Sequence, residues 1–259
     1  MKKILILFLL IPQLTVLAQG SAGDKAKFEY RYLIDMPTAG ILDKGFVGVV
    51  ADILPYGELI SRIEVGVFDN ISFGISYGGS NVIGAGTPKW NKLPGINLRV
   101  RIINESVSIP SITLGFDSQG KGEYFDKEKR YAIKSPGFFA ALSKNFALLG
   151  YLCLHATANY SLEGVDGDNF VNLRAGVEKT IGPNISIVAD YDFTLNDNST
   201  KIFGEGNGYL NAGIRWSVGE GFTIGFDLRD LLDNKTFFYL TLSHIMYTKV
   251  YFYIQKQKD

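Results

Sequence analysis

The sequence predicts an all-β protein, an antiparallel up-and-down transmembrane β-barrel of about twelve strands. Three observations predict it. Apolar and polar residues alternate with a period of two along almost the whole chain, the signature of strands with two unlike faces. The joins between alternating segments are by turns short and long, which sorts the long ones to one end of a hairpin meander. Beyond an apolar run at the N-terminus no helix-length apolar segment remains, so any membrane crossing falls to strands.

The N-terminus carries Lys2 and Lys3, then an apolar run from Ile4 to Leu10 that Ile11 and Leu14 extend toward Ala18. Val16 and Ala18 are the small residues expected before a cleavage point, with Gln19 and Gly20 after it. Residues 1–18 therefore read as a secretory signal peptide. An N-terminal segment (19–44), a single barrel domain (45–255) and a charged tail (256–259) follow.

Composition narrows the function. Lys and Arg (26) balance Asp and Glu (26), so there is no basic footprint for nucleic acid. The single cysteine, Cys153, excludes an intramolecular disulfide and a multi-cysteine metal site. It also lies far from the cleavage point, where a lipoprotein would carry one. With 29 glycines against 8 prolines, strands and tight turns fit better than disorder.

Strands are expected near 45–54, 58–68, 71–78, 93–103, 110–118 and 132–143, then near 147–162, 169–181, 185–195, 208–218, 221–230 and 236–245. "ISFGISYG" sets Ile71, Phe73, Ile75 and Tyr77 on one face, and "INLRVRI" sets Ile96, Leu98, Val100 and Ile102 against Asn97, Arg99 and Arg101. "ISIVADYDFTL" puts Ser186, Asp190, Asp192 and Thr194 on the polar face with a single apolar companion, Val188. "GFTIGFDLRD" separates Phe222, Ile224, Phe226 and Leu228 from Thr223, Gly225, Asp227 and Arg229. Two alternating segments are left over, "FEYRYLID" (28–35) and "KVYFYIQ" (249–255), which either bring the barrel to fourteen strands or are ends that lie below or inside it; twelve is the favoured count.

Tight joins are expected at 69–70, 144–146, 182–184 and 219–221, with a medium one at 104–109; long polar ones fall at 79–92, 119–131, 163–168 and 196–207. Short turns on the periplasmic side and long loops outside are the outer-membrane arrangement, in which apolar faces meet lipid and polar faces look inward. Trp216 and Phe222 beside a short turn, and Tyr160 and Phe193 near long loops, would then form two aromatic girdles.

The inward parity collects Arg62, Glu64, Arg99, Arg101, Asp117, Arg174, Glu178, Asp190, Asp192, Arg215, Asp227 and Arg229. Such charges either line an aqueous pathway or pair across strands and fill the lumen. Eight strands give a filled barrel and sixteen to eighteen an open one, so twelve leaves both readings standing. In an open lumen, a pair between Arg215 and Asp227 on adjacent strands would be water-accessible.

No catalytic pattern emerges. His155 with Ser161, or His244 with Ser243, would be needed for an outer-membrane acyl hydrolase, and neither serine sits in a nucleophile elbow. "VDGDN" (165–169) and "LNDNST" (195–200) lack the ligand order of a calcium loop, and no helix follows the glycine-rich stretch 78–86 to receive a phosphate. "DKEKR" (126–130) balances its own charge and reads as a wet loop. The expectation is a non-enzymatic protein without metal or cofactor.

"DMPTAGILDKG" (35–45) resembles the "PTA…G" opening of the YjbH-like outer-membrane β-barrel proteins. "FGISYGGSNVIG" (73–84), "LGFDSQGKGEY" (114–124), "KSPGFF" (134–139) and "GYLNAGIRW" (208–216) resemble uncharacterised barrels grouped with that family. The resemblance implies the Gram-negative outer membrane and a link to exopolysaccharide secretion or envelope biogenesis. Outer-membrane lipid is the partner expected first, with surface polysaccharide or small solutes after it. A small passive channel for ions or small polar solutes is the alternative function.

Overall fold

The computed structural model describes residue 23 and residues 28–84, 86–198, 208–219, 222–232 and 247–255. The strands in chain order are β1 (Phe46–Leu54), β2 (Glu58–Phe68), β3 (Ile71–Ser80), β4 (Lys89–Trp90), β5 (Gly95–Ile103), β6 (Ser111–Asp117), β7 (Lys121–Phe125) and β8 (Arg130–Ile133). They continue with β9 (Gly137–Ala147), β10 (Tyr151–Tyr160), β11 (Asn172–Ile181), β12 (Ile185–Asp192), β13 (Tyr209–Gly219), β14 (Phe222–Leu228) and β15 (Tyr247–Gln255). All pairings are antiparallel. β1 pairs with β2 on one side and β15 on the other, from Phe46 opposite Gln255 to Ile53 opposite Thr248, so the ladder returns to its start. The result is a closed ring of twelve strands, to which two-residue β4 adds a flap on β3 and β7–β8 a separate hairpin.

The alternation maps onto the ring with an inverted core. Ile63, Ile75, Leu98, Leu114, Leu154, Leu173, Ile214 and Phe226 point outward and are exposed, while Arg99, Asn97, Glu64, Arg215 and Ser186 on the opposite parity are buried. A soluble barrel would have these two sets exchanged. Aromatic residues gather near the strand ends. Tyr77 stacks on Trp90 at 5.8 Å, Tyr191 meets Phe193 edge-on at 4.8 Å, and Tyr160 and Trp216 are exposed on the outside.

The ring differs from the sequence reading in three places. The twelfth strand is 247–255, one of the two left-over segments, whereas 236–245 lies outside the described residues. Its alternation is like that of every other wall strand, and its pairings with β1 and β14 place it in the ring. The other left-over segment, 28–35, is no wall strand and lies inside the ring, one of the placings the sequence left open. The turn expected at 144–146 occurs at 148–150, where Leu149 (φ 44°) and Gly150 (φ 93°) supply the left-handed conformations a tight reversal needs. Lys144 and Asn145 look turn-like but bond Glu105 across the strand ends. The wall strand expected from 132 begins at Gly137, because 130–133 belongs to the β7–β8 hairpin.

Among the described joins, loop lengths follow parity with two exceptions. The reversals at 69–70, 104–110, 148–150 and 182–184 lie at one end with Phe46 and Gln255, and all but 104–110 are tight. The opposite, long-loop end carries 81–84, 86–94, 118–136, 161–171 and 193–198, and also the three-residue join 55–57. The signal peptide and the tail 256–259 lie outside the described residues.

Candidate functional site: a hairpin inside the barrel

Residues 28–43 enter the lumen from the short-turn end, reverse at Leu33–Met36 near the long-loop end, and run back to β1. The reversal is a minimal hairpin. Tyr32 bridges Pro37, the Leu33 amide donates to the Met36 carbonyl at 3.0 Å, and the Thr38 amide donates to the Arg31 carbonyl at 3.0 Å. Gly40 is required for the close approach of its arms, because a Cβ there would lie 2.0 Å from the Tyr30 carbonyl oxygen.

A two-stranded ribbon in a lumen leaves most of its peptide groups without a ladder partner, and buried peptide groups must be satisfied. The wall side chains do this. Asp190 accepts the amides of Ile34 (2.9 Å), Asp35 (3.0 Å) and Met36 (3.2 Å) at the tip. Arg215 donates to the Leu33 carbonyl (2.7 Å), Arg174 to the Asp35 carbonyl (2.7 Å), and Arg99 to those of Arg31 (2.8 Å) and Thr38 (2.9 Å). Arg101 and Thr113 both donate to the Ala39 carbonyl at 2.6 Å, Thr157 donates to that of Pro37 at 2.6 Å, and the Ala39 amide donates to Ser143 Oγ at 3.0 Å.

Hairpin side chains complete the fit. Tyr32 lies between the Arg62 and Arg99 guanidinium groups, 4.6 and 4.8 Å from its ring centre, and its hydroxyl donates to Asp117. Arg31 pairs with Glu64, and Glu29 with Arg101. Leu33, Ile34 and Met36 form a small apolar cluster with Val188, the apolar residue on the polar face of β12. Gly176 makes room for it, since a Cβ there would lie 2.4 Å from Leu33 Cδ1. The lumen is thus packed, and a pocket of about 10 Å³ beside the tip leaves space for roughly one water.

The twelve inward charges are distributed around this hairpin. Arg99, Arg101, Arg174, Asp190 and Arg215 bond its backbone, and Glu64, Asp117 and Arg229 bond its side chains. Arg62 pairs with Asp117 at 3.2 Å, Asp192 with Arg174 at 2.8 Å, and Asp227 with Arg215. Glu178 is buried opposite Cys153 in the β10–β11 register. The hairpin's own Glu29, Arg31, Tyr32 and Asp35 did not register as site residues in the sequence. Their alternation is indistinguishable from a strand's.

A second cluster crosses the long-loop end. Arg130 is fully buried and forms a two-pronged pair with Asp197 (2.6 and 2.8 Å) and a further bond to Asp166 at 2.6 Å. Lys134 adds Asp166 (3.0 Å) and the carbonyls of Asp168 and Asn196. Loops 118–136, 161–171 and 193–198 are thereby latched over the mouth. The expectation of a wet, self-balanced "DKEKR" fails at Arg130, whose counter-charges come from other loops. Burial pushes the Asp197 carboxyl up. Burial also acts on Asp166, but hydrogen bonds from Lys134 and Arg130 outweigh it and hold that carboxyl below the usual range.

His155 lies on the inner face, where it meets a serine other than the one an acyl hydrolase would have called on. His155 Nδ1 lies 2.7 Å from Ser143 Oγ on the neighbouring strand, not beside Ser161, whose hydroxyl accepts the Glu163 amide. Ser143 also receives the Ala39 amide, so this pair holds the hairpin. Ser243 and His244 lie outside the described residues.

No protein-family model and no curated protein matches the chain. Solved structures similar to it include two porins. A KdgM porin shares 7% identity with a TM-score of 0.46, over 82% of this chain and 99% of that one. A NanC porin shares 8% with a TM-score of 0.41, over 82% of this chain and 100% of that one.

Proposed function

We propose that this protein is an outer-membrane channel for small polar solutes, held closed by its own N-terminal hairpin. The apolar outward belt with aromatic ends supports membrane insertion, because a wet surface of exposed Ile, Leu and Phe around a whole ring would aggregate. One observation carries the channel reading. The wall is a complete ring without the hairpin, which pairs with no wall strand and is bound through side chains. Withdrawing it would leave an intact barrel with a polar lining.

The gate can be tested on the full chain in planar bilayers. Rare openings are expected for the parent. Asp190→Ala removes three hydrogen bonds to the tip, each worth roughly 1.5 kcal/mol if modestly charge-assisted, and should raise the open fraction about a hundredfold or more. Silence of both proteins, with normal heat-modifiable migration on gels, would refute the channel.

The exopolysaccharide link is the second reading. It rests on residues 35–45, and these are the hairpin tip and its returning arm. A strain lacking the gene that still makes normal surface polymer would remove that link.

A further inference from the structure

Asp35 stands apart within the hairpin. From Tyr30 to Leu42 every other residue is buried, and Asp35 alone is partly accessible. It sits at the tip beside the small pocket, which lies toward the long-loop end. Its carboxylate is held by Lys121 (2.5 Å) and Arg229 (2.8 Å), and Arg174 holds its carbonyl at 2.7 Å. Arg62, Lys134 and Arg174 line the pocket beside it. Lys121 on β7 and Arg229 just past β14 therefore form a built carboxylate site toward the long-loop end, and the lumen hairpin fills that site with one of its own side chains.

Resting on the channel reading above, we propose that Asp35 is an internal stand-in for the transported solute, and that the channel takes small carboxylates. A carboxylate arriving from the long-loop end competes for Lys121 and Arg229, displaces Asp35 and frees the tip. Neutral solutes of the same size can accept a hydrogen bond from these two cations but bring no charge to replace that of Asp35. Breaking the Asp35 pair without replacement would take a carboxylate away from two buried cations, which keeps the gate shut when no such solute is present.

Acetate is the natural probe, since it reproduces the Asp35 side chain, and acetamide is its uncharged counterpart. The readout is the rate at which a water-soluble thiol reagent modifies Met36→Cys, on a Cys153→Ala background, in the full chain reconstituted in lipid. Met36 is 1% exposed at rest. Acetate should speed modification about tenfold, a usual strength of coupling between a ligand and a conformational equilibrium, and acetamide should not. Asp35→Asn should be modified quickly without any acetate, and Lys121→Gln should lose the acetate response. Equal rates with acetate and acetamide, or an Asp35→Asn protein as protected as its parent, would overturn the proposal. Because labelling needs no current, acetate-driven labelling without conductance would condemn the channel reading alone.

Discussion

Arg215 on β13 and Asp227 on β14 form an ion pair that is closed to water on every side. Their side chains are 0% and 1% exposed, and the same guanidinium reaches the Leu33 carbonyl of the hairpin. Two glycines make the pair possible. A Cβ at Gly213 would lie 2.2 Å from Asp227 Oδ1, and one at Gly225 would lie 2.8 Å from Arg215 Nη1. An open lumen would have made this a wet pair worth about 0–1 kcal/mol. The hairpin makes it a buried one. Asp227→Ala should therefore cost about 3–5 kcal/mol in urea unfolding from lipid, because it strands a buried cation. The double change Arg215→Met with Asp227→Leu should cost less than Asp227→Ala alone. Additive losses would show that the pair is not coupled.

Adjacent residues of β14 should report opposite surroundings. Phe226 is 38% exposed on the apolar belt, and Phe226→Arg should cost about 2–4 kcal/mol if it lies near the middle of the bilayer. A spin label at 226 should be relaxed by oxygen and shielded from a polar nickel chelate. At 227 the filled lumen should shield it from both reagents. Nickel access at 227 in the resting protein would mean that the hairpin does not occupy the lumen.

The wall was legible because alternation is a local property. Whether Ile214 and Arg215 face opposite ways can be read within a few residues. What closes the ring is not local. Segments 236–245 and 249–255 carry the same pattern, and β15 is placed by a partner some two hundred residues away, such as Val49 opposite Phe252. The hairpin was hidden for the same reason. Glu29, Arg31 and Asp35 alternate like a strand, yet their partners Arg101, Glu64 and Arg229 lie on three separate wall segments. Val188 was the trace left in the sequence, an apolar residue on a polar face that needed something apolar to meet.

The latch over the mouth should resist mild acid. Asp166 has a carboxyl lowered from 3.8, so its contribution is complete above that value and is lost as pH falls through the lower folded value. Asp197 and Glu163 are raised by burial and oppose folding as carboxylates, so acid relieves them first. A spin label at the exposed Lys127, again without Cys153, should stay ordered at pH 5 and become mobile below about 3.8. In Arg130→Gln it should be mobile already at neutral pH. A label that loosens near pH 6 would assign the latch to some other group.

Gly40 offers the sharpest way to disturb the hairpin while sparing the wall. Any side chain there collides with the Tyr30 carbonyl at 2.0 Å, and neither partner is the far end of a flexible side chain, so the two arms must separate. Separation pulls Ala39 away from Arg101, Thr113 and Ser143, which leaves three wall groups looking for water. Nothing in the ring's ladder involves residue 40, so Gly40→Ala should keep its heat-modifiable migration and insert normally. Its resting conductance should rise well above that of the parent and of Leu173→Ala, a control on the outward belt. If Gly40→Ala folds, inserts and stays as closed as the parent, the hairpin is not what closes the lumen.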